Sequence, residues 1–221
     1  MSEPDTSRFR YLAGDPSLDL VNTVDWTAEG LQDEQLQQYA DLLSWARGAG
    51  ILPVVLDRRL RRLATSRPAE ARQVFQEAVR LRELLRGLSL SVAQGKVDEQ
   101  LLDRFNRLLR QTHSRRRLRP AEDRRRTGLA WSWEGEGDSL AAPLWRVTLA
   151  FAELLSSPES GQIRVCEGPT CGWMYVDRSR NGLRRWCAMD MCGGKEKARR
   201  HYARVKAQKK RGADVVSAPR G

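Results

Sequence analysis

Along the amino-terminal part of the chain, hydrophobic residues recur mainly at the three- and four-residue intervals of a helix. Leu36, Tyr39, Ala40, Leu42, Leu43 and Ala46 share one face and stop at Gly48, with Gly50 and Pro53 beyond, so a helix is predicted there. Val55 to Ala64 reads as a short second helix. Pro68 suits the first turn of a long third helix, because a first-turn residue has no intrahelical use for the N–H that proline lacks. Ala71, Val74, Phe75, Ala78, Val79, Leu81, Leu85 and Leu88 then form its broad apolar face. A further helix over Val97 to Gln111 carries Leu101, Leu102, Phe105, Leu108 and Leu109 on one side, and Leu144 to Leu155 is a strongly apolar helix.

Other stretches follow a different period. Ser17 to Val24 begins with the apolar and polar alternation of a short strand, with a helical turn as the alternative, and Leu129 to Trp133 reads as a strand before the turn Glu134 to Gly137. Between them, Arg115 to Arg126 holds seven arginines and Pro120, which suits an exposed loop or a ragged sheet edge. That run could touch phosphate, although two acids interrupt it and a solvated connector explains it equally well. The small and polar residues Ser156 to Gly161 suit a turn or linker, and the domain boundary is placed there.

The fold expected is therefore α+β. A mainly helical amino-terminal domain with a few short strands, residues 1–157, precedes a small treble-clef-like module of four cysteines with a β-hairpin and a basic helix, residues 162–208. Residues 209–221 are expected to form a flexible basic tail.

Charge changes this picture by its location. The chain of 221 residues has a formal net charge of +11. From Arg178 to Arg211 thirteen Lys and Arg face only Asp190 and Glu196, so this one segment accounts for the whole excess. Such a self-repelling patch suits a polyanion, DNA or RNA, and its blander reading is a solvated charged tail. No stretch approaches the ~20 apolar residues of a membrane span, and the start lacks the apolar core of a signal peptide, so a cytoplasmic location is expected.

Cys166, Cys171, Cys187 and Cys192 form two C-x4-C pairs with fifteen residues between them. Zinc takes four soft ligands at tetrahedral corners, and two short-loop pairs a dozen or more residues apart can enclose one ion. In a reducing compartment thiolate ligands are favoured over a pair of disulfides or reactive thiols, which remain the alternatives. Four cysteine ligands would leave no open position for a catalytic water, so the Zn2+ expected is structural. Trp173 to Asp177 has strand composition, Ser179 to Gly182 makes a turn, and Arg184-Arg185-Trp186 leads to the second pair, predicting a hairpin between two knuckles. Beyond Cys192, Ala198, Tyr202 and Val205 form a narrow stripe expected to pack on that hairpin. Lys195, Arg199, Arg200, Arg204 and Lys206 would then face outward. With Lys197 and the loop residues Arg178, Arg180, Arg184 and Arg185, these are the candidate nucleic-acid contacts. His201 is expected on the helix surface.

These residues resemble the bacterial CGNR zinc-finger proteins, whose finger follows an amino-terminal domain called ABATE. In the finger the likeness rests on Cys166-Glu167-Gly168-Pro169-Thr170-Cys171-Gly172-Trp173, on Asp177-Arg178-Ser179-Arg180-Asn181, and on Arg185-Trp186-Cys187-Ala188-Met189 followed by Cys192. In the amino-terminal part it rests on Leu18 to Val24, on Leu43 to Leu52 with Trp45 and Gly50, and on Leu81-Arg82-Glu83-Leu84-Leu85. Gly193-Gly194-Lys195 stands where the family pattern has Gly-Asn-Arg, so contacts of that Asn and Arg are not carried over. Lys195 keeps a charge without the arginine fork. The resemblance implies a stress-induced transcription regulator.

Three functions are open to such a chain. The leading one is a zinc-dependent regulator binding double-stranded DNA, whose amino-terminal domain senses a small-molecule effector or forms a homodimer. The second is a module for RNA or protein, with Trp173, Tyr175 and Trp186 as stacking surfaces or, more simply, as packing around the metal. The third, an enzyme, finds little support, since the chain has no phosphate-binding glycine loop or nucleophile elbow and only two histidines. Asp19, Asn22, Arg82 and Trp131 are set among apolar segments and could line an effector pocket.

Overall fold

The computed structural model describes residues 8–27, 29–121 and 128–216, with side chains as far as Lys206. Its first element is a helix, α1 (Pro16–Val21), so of the two readings of this segment, strand and helical turn, the second holds. The Asp15 carboxylate accepts the Ser17 N–H at 2.8 Å, and Pro16 occupies the first turn, so the local chemistry is that of a capped helix start. Ser17, Leu18, Asp19, Leu20 and Val21 are all buried. A turn covered on every side has no polar face, which is why its period misleads.

A small ribbon of β1 (Asp25–Thr27) and β2 (Gly30–Gln32) leads to the four predicted helices: α2 (Tyr39–Gly48), α3 (Val54–Ser66), α4 (Pro68–Ala93) and α5 (Glu99–His113). The arginine run begins as a strand, β3 (Arg116–Pro120), paired antiparallel with β4 (Leu129–Trp133), so its first half is a sheet edge and not a loop. Residues 122–127, with the second half of that run, lie outside the described residues. Then come α6 (Ala142–Ser156), a 3-10 turn over Pro158–Gln162, β5 (Ile163–Val165), β6 (Met174–Val176), a π-type turn over Met189–Gly193 and α7 (Gly194–Val216).

The helix α4 is the spine, packing on α1, α2, α3 and α5, while α6 covers α1 and α5. Phe105 of α5 meets Phe151 of α6 edge to face at 5.2 Å. Ile163, Met174 and Val176 belong to the same buried cluster, so the hydrophobic core continues from the helices into the β5–β6 pair. The Asn22 amide seals this join, donating to the Met174 carbonyl and accepting its N–H, each at 2.8 Å. Val176 donates to the Ala13 carbonyl, Trp26 to that of Cys171, and the Arg86 guanidinium to that of Gly172.

Asp19, only 7% exposed, accepts the Ala13 N–H at 3.0 Å. Burial lifts its pKa to about 7, against the lowering effect of that hydrogen bond and with further help from the Asp15 charge. A carboxyl raised in the fold favours folding below its unfolded pKa near 4, and that contribution fades as pH climbs through about 7. Asp19→Asn, which keeps a carbonyl acceptor and carries no charge, is therefore expected to gain about 2–3 kcal/mol on the wild type between pH 4.5 and pH 8. Urea unfolding midpoints of both proteins at the two pH values check this, and a pH-independent difference would refute it.

Candidate metal centre and its cationic helix

Cys166 follows β5 directly, and a tight turn, closed by Cys171 N–H to Gly168 O at 3.2 Å, brings Cys171 back beside it. A side chain at Gly168 would put its Cβ 2.9 Å from the Cys192 sulfur, so the close approach of the two cysteine pairs requires glycine there. Cys187 follows the irregular stretch that ends at Trp186, and Cys192 sits in the π-type turn that runs into α7. A Cβ at Gly194 would lie 3.0 Å from the Met189 carbonyl oxygen, a tight fit for any larger residue.

The hairpin differs from expectation. β6 pairs with β5, which precedes the first cysteine, in the register Ile163↔Val176 and Val165↔Met174. Arg184 to Trp186 forms no strand. Its chain is held by Glu167 N–H to Arg185 O at 3.0 Å and by Arg184, which lies over the Tyr175 ring and donates to the carbonyls of Trp186, Cys187 and Leu12. Arg184 thus has an inward, structural placement.

All four sulfurs lie within 4.8 Å of one another, with Cys171–Cys187 and Cys187–Cys192 each at 3.7 Å. A tetrahedron of sulfurs about 2.3 Å from a central ion has edges of roughly 3.8 Å, whereas a disulfide needs about 2.05 Å. The four thiols are free, and the spacing is that of a metal site. The Gly168 and Cys187 N–H groups point at the Cys166 sulfur from 3.4 and 3.3 Å, as donors to a thiolate do. Hydrogen bonds from Cys171 and Cys187 pull the Cys166 thiol far below its usual range, to about 2, while the same contacts push Cys171 up. Burial and then the Cys166 charge raise Cys192. Four sulfurs so close cannot ionise together without a cation among them.

Trp173 and Tyr175 are buried against the cysteines, with Trp186, Met191 and Leu12 partly buried around them. Packing is their role here, and of the three aromatic residues only Trp186 keeps an accessible edge. The expected apolar stripe on α7 does not pack, since Ala198 is exposed and Tyr202 is 74% exposed. The buried residue at the helix start is instead Glu196, which no motif in the sequence singled out. Its nearly buried carboxylate receives Arg199 at 2.7 and 2.9 Å and Arg200 at 2.7 Å, and these hydrogen bonds hold its pKa at about 2. The i, i+3 and i, i+4 spacing of these three residues was a usable signal.

The remaining candidate contacts divide. Arg178 pairs with Glu159, and Arg185 pairs with Glu167. Lys195, Lys197, Arg180, Arg204 and Lys206 are exposed and have no ion-pair partner among the described residues. A groove of about 440 Å³ runs between α7 and the second knuckle, with Lys197, Arg200, His201 and Arg204 on one wall and Arg185, Trp186 and Met189 on the other. Lys195 and Arg199 face the opposite side, over a smaller cleft beside Asp25, Cys171 and Cys192.

Of the four residues offered as an effector pocket, three lie together as tertiary ties. Asp19 holds Ala13, Asn22 holds Met174, and Arg82 holds Thr23 and Glu34. Trp131 is elsewhere, 62% exposed on β4 with the Arg116 guanidinium 4.7 Å from its ring.

Comparison with known proteins accords with this geometry. The model of the CGNR zinc finger matches residues 162–205, and the ABATE model, described as "Putative stress-induced transcription regulator", matches residues 14–158. No curated protein is similar enough to count as a relative. Among the described residues no helix is long and apolar enough to cross a membrane. A metal-site geometry in the finger segment, fused through a shared core to a helical domain that the family model spans almost throughout, places the chain in the ABATE family, with a CGNR zinc finger at its carboxy-terminal side.

Proposed function

We propose that this chain is a zinc-dependent transcription regulator that binds double-stranded DNA through the groove between α7 and the second knuckle. One observation carries the reading. Lys197, Arg200, His201 and Arg204 recur at helical spacing on one wall of that groove, opposite Arg185 and the half-buried Trp186. A row of cations beside a rigid knot is the arrangement that phosphate contacts need, because ordered side chains replace condensed counterions at little further entropic cost.

Zn2+ is the ion that four thiolates at tetrahedral spacing favour, and it would be held by Cys166, Cys171, Cys187 and Cys192. Bound there it supplies structural cohesion, since four sulfur ligands leave no site for a reacting water. The reading therefore assigns the protein no catalysis. The amino-terminal domain is assigned the sensing of a small effector or the pairing of subunits, and the protein a cytoplasmic location. Lys195 and Arg199 on the opposite side, and Arg180 and Lys206, are secondary phosphate contacts.

The test is fluorescence anisotropy with duplex DNA across a range of salt concentrations. The triple variant Lys197→Ala, Arg200→Ala, Arg204→Ala is expected to lower the slope of log K against log salt by about 3, since each lost phosphate contact removes ~0.9. Metal content should stay unchanged and thermal melting should shift little, because Arg199 still neutralises Glu196 when Arg200 is removed. An unaltered slope would move the interface elsewhere, and stronger binding to single-stranded RNA than to duplex would favour base stacking on Trp186 instead.

A further inference from the structure

A second cleft, remote from the finger, lies where α4, α5 and α6 meet and has a volume of about 530 Å³. Its floor is apolar. Leu81 and Leu84 come from α4, Leu144 and Trp145 from α6, and the three leucines are buried in the core. Thr112 and Thr148, each 3% exposed, bring hydroxyl-bearing side chains to that lining from α5 and α6.

The rim has the opposite character. Arg80, Arg104 and Arg107 line it, and none has an ion-pair partner among the described residues. Arg115 adds a fourth guanidinium just beyond, 5.4 Å from the centre of the Trp145 ring. The single acid on this rim, Glu77, accepts a hydrogen bond from Gln73 of its own helix. The wider cleft between α2, α3 and α4, about 700 Å³, lacks such a cluster, because of its two arginines Arg61 is already held by Asp57 and Ser44, which leaves Arg72 alone.

We infer that the α4–α5–α6 cleft binds a small organic acid, an apolar body bearing one carboxylate. Leucine and indole surface gains free energy by covering an apolar body, at roughly 25 cal/mol per Å² removed from water. Three unneutralised guanidinium groups around the mouth select a carboxylate, which they can bind bidentately. A cation is repelled there, and a polyphosphate would leave the leucine floor uncovered. The cleft also touches the fold's spine, for α4 carries Leu81 and Leu84 into it and carries Arg82 and Arg86 to the Trp26 ring, with Arg86 reaching on to the Gly172 carbonyl. This deepens the effector-sensing part of the reading above and is independent of what the finger binds.

The experiment uses the full-length, metal-loaded protein with three probes of one length: decanoate, 1-decanol and decylammonium. Calorimetry is expected to show one decanoate bound per chain at least about tenfold more tightly than decanol, the margin of a charge-assisted hydrogen bond, with decylammonium weakest. Decanoate should change the tryptophan emission through Trp145. Arg104→Gln with Arg107→Gln, both on the exposed side of α5, should leave the melting curve intact and remove the preference for decanoate over decanol. Equal binding of the acid and the alcohol, or an unchanged preference in the double variant, overturns the proposal. DNA anisotropy on the same sample separates the two readings. DNA binding without decanoate binding sinks the cleft alone, and decanoate binding without DNA binding sinks the finger's assignment alone.

Discussion

Serine in place of Cys187 is expected to release the metal, to unfold the chain from residue 177 into α7, and to abolish DNA binding. Cys187 is 1% exposed, and its sulfur stands 3.7 Å from two of the other three, so no water or neighbouring side chain can take its place. The apolar cluster around the site holds little beyond the cysteines, Trp173 and Tyr175. Metal binding supplies about 10–16 kcal/mol in finger-sized peptides, far more than so small a cluster can offer by burial. Unfolding should stop at β6, because Met174 and Val176 are packed in the main core and tied to Asn22 and Ala13. Hydrogen exchange followed by mass spectrometry should therefore show protection lost over residues 177–206 and kept over α2 to α6. Elemental analysis should find one zinc per wild-type chain and none in the variant. A variant that retained both its metal and its protected finger would show that the four thiolates are not a structural site.

The second large effect is expected at the Glu34–Arg82 pair. Arg82 is fully buried, and donates to Thr23 at 2.9 Å and to both Glu34 oxygens at 2.8 and 2.5 Å. Its Nε has no partner, and Trp26 lies 6.0 Å from the guanidinium carbon. The two partners are unequal, since the Glu34 side chain is 37% exposed. Glu34→Ala leaves a guanidinium in the core with no counter-charge, and should cost about 3–5 kcal/mol. Arg82→Met removes the buried charge itself and leaves a carboxylate that water reaches and the Leu36 N–H still holds, so a smaller loss of about 1–3 kcal/mol is expected. Urea midpoints of the two variants give the ranking. The reverse order would mean that packing of the arginine stem, and not charge compensation, is what this position contributes.

Residues whose role is decided within a turn or two were legible in the chain. The helices α2 to α6 were predicted within a few residues, because each presents an apolar stripe to the same core and a polar face to water. The strand β4 was legible for a similar reason, as were the cysteine pairs. The misreadings of α1 and of the hairpin have a common cause in partners distant along the chain. α1 read as a strand first and a helical turn second because Ser17 to Val21 are all buried. The stretch before Cys187 looked like the second arm of a hairpin, yet β6 had already taken β5 as its partner. The apolar positions on α7 looked like a packing stripe, although Tyr202 is exposed and the helix continues directly from the π-type turn that carries Cys192.

The sequence alone determined the chemistry available: four soft ligands within one short segment, a cationic excess confined to residues 178–211, and helices for a core. Tertiary structure alone decided how those parts are used. It turned Arg184 inward, spent Arg178, Arg185, Arg199 and Arg200 on carboxylates, and left Lys197 and Arg204 facing one groove without an ion-pair partner among the described residues. It also made Asn22 and Arg86 the ties between helical core and metal segment, across separations of 152 and 86 residues. Local spacing carries propensity and ligand type, because both depend on neighbours a few residues away. Which charge is neutralised, and which polar group is buried, depends on contacts that exist only once the chain has closed on itself.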